Sequence, residues 1–144
     1  MSILYDDNYQ QATTIPDGAL SQTFKGAYGP SSSYSYGVDA SRVRFPNVPI
    51  GYRGCYQMFS EWNHLRKAPY KLSMMSLGNN CYEEMFKDCT GLTDAPVLPA
   101  TTLSPSCYSR MFNGCTNLVN APALPATTLV EPIAQQPGCY QGMF

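Results

Sequence analysis

The chain repeats itself, and the repeat restricts what it can fold into. Residues 81–106, CYEEMFKDCTGLTDAPVLPATTLSPS, are followed by CYSRMFNGCTNLVNAPALPATTL. Cys81 falls on Cys107, Met85 on Met111, Phe86 on Phe112, Cys89 on Cys115 and Leu92 on Leu118, at a constant offset of 26. A unit this short cannot bury its apolar side chains alone and must stack on other copies of itself. A fainter copy precedes these two: Met58 and Phe59 answer Met85 and Phe86, Trp62 stands where Cys89 does, and Leu65 with Ala68-Pro69 answers Leu92 with Ala95-Pro96. After Leu129 comes an insertion, residues 130–135, and then Cys139-Tyr140 through Met143-Phe144 opens a further copy that breaks off in mid-repeat.

Within one copy the apolar spacing is close to helical. Ser104 suits an N-cap and Pro105 a first helical position, and Leu103, Cys107 and Met111 recur every four residues. Tyr108 and Phe112 form a second such pair, so the spacing predicts a helix over 105–112 closed by Asn113-Gly114, with Asn79 or Asn80 as the cap one copy earlier. Leu92 and Ala95, like Leu118 and Ala121, point inward from short extended segments. Pro96, Pro99, Pro122 and Pro125 remove ladder donors and keep those strands brief. The expected fold class is therefore α/β: a short leucine-rich-repeat solenoid of 26-residue coils. It spans 54–144, is incomplete at its C-terminal end, has a cap at 41–53, and is preceded by an irregular, extended N-terminal arm over 1–40. The expected core is Cys81, Met85, Phe86, Cys89 and Leu92, with Cys107, Met111, Phe112, Cys115 and Leu118.

The 6 cysteines recur with the repeat, so equivalent thiols stack. They read first as small buried hydrophobes in a ladder. Bridges between stacked thiols are a second reading. Zinc is a poor third, since no Cys-x-x-Cys pair occurs and His64 is the one histidine. No metal and no cofactor is expected.

Charged residues make up 13% of the chain and the net charge is −1, which argues against a nucleic-acid partner. Arg42, Arg44 and Arg53 read as a solvated flank rather than a phosphate site. No secretion signal opens the chain and no apolar run is long enough to span a membrane, so either delivery outside the general export route or cutting from a longer precursor is expected, and the start at Met1 favours the first. An enzyme is not expected: a hydrolytic triad would have to use His64 in a repeat scaffold without a nucleophile elbow. The adjacent pairs Asp6/Asp7 and Glu83/Glu84 read as solvated faces.

Residues 1–40 are a different material, with Tyr5, Tyr9, Tyr28, Tyr34 and Tyr36 set among Gly, Ser, Gln and Asp. They form either a flexible leader or an arm that docks through its tyrosines, which give large contact area with few torsions to freeze. Trp62 is either filler for a distorted coil or an interface anchor. Ile133 in the insertion and Phe144 in the final copy complete the candidate partner-binding set.

The copies resemble the BspA-type leucine-rich repeats of bacterial surface proteins, in a Cys-Tyr-x-x-Met-Phe variant of gut Bacteroidetes and their phages. The resemblance rests on Leu98-Pro99, Phe112, Cys115 and Leu118, and again on Leu124-Pro125 and Phe144. It implies adhesion or structural display and carries no catalytic residues. With the signal-less start and the tyrosine-rich leader, the expected function is a structural protein of a bacteriophage virion: a fibre, decoration or adaptor subunit assembled in the bacterial cytoplasm. Its partners would be other virion proteins and copies of itself, with a host-surface ligand as a further option. A bacterial cell-surface or secreted adhesin, and a generic protein-binding repeat module, are the alternatives.

Overall fold

The computed structural model describes residues 18–25, 37–130, 132 and 135–144. In space, the 26-residue offset is an offset in hydrogen bonding. The N–H of Tyr82 donates to the Cys107 carbonyl (3.0 Å), Glu84 to Ser109 (2.9 Å), Phe86 to Met111 (3.0 Å) and Asp88 to Asn113 (2.8 Å). The intervening N–H groups turn back within their own segment: Glu83 to Asn80, Met85 to Tyr82, Lys87 to Glu84 and Cys89 to Phe86. Alternate donors thus close four-residue turns, and the others bind the next segment. The same pattern joins 51–62 to 78–89, as in Cys55 to Cys81 and Phe59 to Met85, and joins 104–115 to 138–144, as in Tyr108 to Cys139 and Phe112 to Met143.

These ribbons of turns are not helices, and the expected α/β class is corrected. No helix occurs among the described residues, and the named strands are β1, Val38–Asp39, and β2, Leu65–Lys67, paired in parallel. The backbone gives the reason. Asn80, Glu84 and Asp88 have positive φ, as do Ser106, Arg110 and Gly114. A left-handed residue at every fourth position cannot belong to a right-handed helix. The four-residue recurrence of Cys81, Met85 and Cys89 therefore marks two fused turns, not one helical turn. Ser104, expected as a cap, instead donates its hydroxyl to the Leu77 carbonyl of the preceding segment.

Between ribbons the chain runs extended and touches its neighbours at single parallel bridges. Asp94 pairs with Lys67 on one side and Asn120 on the other, Ile50 pairs with Leu77, and Lys71 with Val97. The prolines on either side withhold the donors a longer ladder needs. Close approach of the layers excludes side chains at two glycines. A Cβ on Gly78 would meet the backbone of Ile50 and Gly51, and one on Gly91 would strike the Asn63 carbonyl.

The core runs the length of the stack. Met85, Phe86, Cys89, Leu92, Cys81, Cys107 and Met111 are fully buried, Phe112 almost so, and Cys115 and Leu118 are half-buried. Aromatic rings stack along it in two columns. One runs Phe24, Phe59, Phe86, Phe112, Phe144, with centroids 5.4, 5.3, 5.7 and 5.8 Å apart. The other runs Tyr82, Tyr108, Tyr140 at 5.7 Å spacing. Offset stacks of this kind add about 0.5–1.5 kcal/mol per pair beyond the area they bury.

Candidate interaction surface

Reactive side chains in this chain are drawn into the stack. The Cys89 thiol donates to the Phe59 carbonyl (2.9 Å) and the Cys115 thiol to the Phe86 carbonyl (3.0 Å), the same bond one layer on. Cys81 faces the Cys107 carbonyl at 4.0 Å. All six cysteines are unbridged. Burial pushes the Cys107 and Cys115 thiols up to about 12, and raises Cys55, Cys81 and Cys89 as well. A thiol held this firmly protonated is a poor nucleophile and a poor metal ligand.

A polar column runs beside the rings. Gln22 donates its amide to Gln57 (2.9 Å), Gln57 donates to Glu84 (2.6 Å), and Lys87 and Arg110 lie 3.4 and 3.5 Å from the same carboxylate. Gln22, Gln57, Glu84 and Arg110 all have positive φ, so one left-handed position of each ribbon aims its side chain into this column. Burial opposes the charge on Glu84, but Gln57 and Lys87, with help from Arg110, outweigh it and hold the carboxyl below its ordinary range. Glu84, expected on a solvated face, is thus buried. Among the described residues, no group of three or more His, Cys, Asp or Glu could hold a metal ion, and no helix is long and apolar enough to cross a membrane.

The surface open to a partner lies at one side of the stack. Phe144 is 58% exposed, as are Val119 and Leu129 (76% and 57%) on the extended run after residue 115. Phe144 and Phe112 wall a groove floored by Cys115, Leu118 and Ala121. A second shallow groove lies between the proline segments, edged by Pro96, Val97, Pro122 and Pro125.

Of the candidate partner-binding residues, Phe144 lies on this surface. Trp62 does not: it is buried, with its ring 6.0 Å from Phe59 and 5.9 Å from Phe24. Tyr5, Tyr9, Tyr28, Tyr34, Tyr36 and Ile133 lie outside the described residues. Sequence reasoning missed Phe24. Residues 18–25 lie on 52–58 through the bonds of Leu20 to Gly54, Gln22 to Tyr56 and Phe24 to Met58, which makes them an outermost ribbon. The signal was present in Gln22-Thr23-Phe24, which matches Gln57-Met58-Phe59 at two of three places.

Comparison with protein-family models, curated proteins and solved structures finds no match for this chain. With no helix in the described residues and no family model matching, the resemblance to BspA-type leucine-rich repeats is corrected. The virion fibre, adhesin and repeat-module functions rested on that architecture, and they fall with it.

Proposed function

We propose that this protein is a non-catalytic structural unit whose partners are polypeptides. One observation carries the reading. The buried thiols, Tyr82, Tyr108 and Tyr140, and the Glu84 carboxylate are held in columns that bind one layer to the next. The chain's chemistry is spent on holding a shape. The balance of 9 Lys and Arg against 10 Asp and Glu supports a polypeptide partner over nucleic acid, which rewards a concentrated positive field. Six unbridged thiols support folding in a reducing compartment.

The test is thiol reactivity in the native state. Treated with iodoacetamide at neutral pH, the folded protein should label at Cys55, Cys81, Cys89, Cys107 and Cys115 at least 100-fold more slowly than in denaturant. Rapid, stoichiometric labelling of one of these in the native protein would reveal an activated nucleophile and overturn the structural reading.

A further inference from the structure

One layer of the tyrosine column satisfies its hydroxyl from within the chain. Tyr82 is fully buried and donates to the Met74 sulfur. One layer on, the register carries Tyr82 to Tyr108 and Met74 to Ala100. The Lys71–Val97 bridge and the bond from the Leu72 N–H to the Val97 carbonyl fix it on the methionine side. The bond from the Tyr82 N–H to the Cys107 carbonyl fixes it at the rings. Alanine offers a hydroxyl nothing. Tyr108 is 1% exposed, and its Oη is buried with no hydrogen-bond partner among the described residues. The next ring in the column, Tyr140, has its Oη buried and unpartnered in the same way. Ala126 takes the Met74 place in the sequence repeat there.

We infer that the stack holds an internal water, bridging the Tyr108 and Tyr140 hydroxyls where the Met74 sulfur serves Tyr82 one layer earlier. The two rings lie 5.7 Å apart and within 5° of parallel, so hydroxyls carried in register are too far apart to bond each other. Two O–H···O bonds in series span about 5.5 Å, which one water between them supplies. Exchanging methionine for alanine withdraws the sulfur and its neighbouring carbons, a volume above the ~30 Å³ of one water in the liquid. A neutral molecule fits and an ion does not. The titratable groups facing Tyr108 are Cys107, Cys81 and Tyr140, all uncharged near neutral pH, so nothing offsets an ion's lost hydration.

Without that water the column would bury two hydroxyls that the unfolded chain keeps hydrogen-bonded, a penalty that folded proteins rarely leave standing. The site is independent of the structural reading above. Reactive thiols would overturn that reading and leave the water in place, and a dry column would do the reverse.

Water-to-protein NOE spectroscopy of the folded chain at neutral pH gives the test. The Tyr108 ring protons should show cross-peaks to a long-lived water, and those of Tyr82 should show none. Ala100→Met returns a sulfur to the hydroxyl and displaces the water, so the Tyr108 cross-peaks should disappear. Ala100→Val, which fills less of the same space, serves if the methionine variant does not fold. The hydroxyl itself remains in both variants, so cross-peaks that survive would arise from hydroxyl exchange and would overturn the site. The urea midpoint of Tyr108→Phe should fall, because the variant gives up a satisfied hydrogen bond. Tyr108→Phe combined with Tyr140→Phe should lose less than the two single losses added, since both rings share one water. Absent cross-peaks at Tyr108, a midpoint that rises when its hydroxyl is removed, or losses that simply add would each overturn the proposal.

Discussion

At the scale of the residue, position in the column decides what a ring is worth. Phe86 lies between Phe59 and Phe112 and is wholly buried, whereas Phe144 has one covered face and is 58% exposed. Phe86→Ala should cost about 3–5 kcal/mol, the usual penalty for emptying a well-packed aromatic site. Phe144→Ala should cost about 1 kcal/mol or less, because little of its surface leaves water. Chemical denaturation of the two variants checks the ordering, and equal losses would mean that the column does not carry the fold. Glu84 adds a polar counterpart. Removing its carboxylate strands the buried Gln57 amide, so its contribution lies mainly in satisfying a neighbour.

At the scale of the element, the ribbon makes a prediction no helix would share. Asp88 sits at φ 58°, where Gly114 stands one layer on at 78°. Glycine adopts this backbone freely and a β-branched residue hardly at all. Asp88→Gly should therefore be more stable than Asp88→Val by about 1–2 kcal/mol. In a helix the order reverses, because valine outranks glycine there. Thermal melts of the pair settle the sign. The same residues show how far the sequence could be read. Which side chains face the core was legible, since Cys81, Met85, Phe86 and Cys89 recur in register, and recurrence follows burial whatever the local backbone. The element type was not legible. Apolar residues four apart fit a helix and a chain of fused turns alike, and nothing in Glu84 or Arg110 announces a left-handed φ as a glycine would. Gly114 was the visible clue, but it read as a helix stop. Of the candidate partner-binding residues, Phe144 lies exposed and Trp62 buried; Trp62 was ambiguous because bulk alone does not separate core from interface.

At the scale of the whole molecule, the thiols make stability a property of pH. Cys55, Cys81, Cys89, Cys107 and Cys115 lie in three successive layers, and burial raises each of them, Cys107 and Cys115 to about 12. An unfolded thiol titrates near 8.5. Below that pH both states hold the proton and the full contribution of burial is present. Above it the unfolded chain releases protons that the folded chain keeps, so stability falls as pH rises toward the folded values. Each fully titrating thiol contributes a slope of about 1.4 kcal/mol per pH unit. With these five acting together, a fold worth about 5–15 kcal/mol is exhausted roughly one to two units above the unfolded thiol value. The buried Tyr82 and Tyr108 and the half-buried Tyr140 are raised by burial too, and they add to the loss at higher pH. Urea denaturation at a series of pH values should show stability level between about pH 6 and 8, then falling steeply to alkaline unfolding at about pH 9.5–10.5. Cys115→Ala should make that fall shallower by one thiol's slope even as it lowers the plateau. A folded protein whose thiols titrate near 8.5 by ultraviolet absorbance, with no loss of stability, would show that they are open to water and that the columns of the stack do not exclude it.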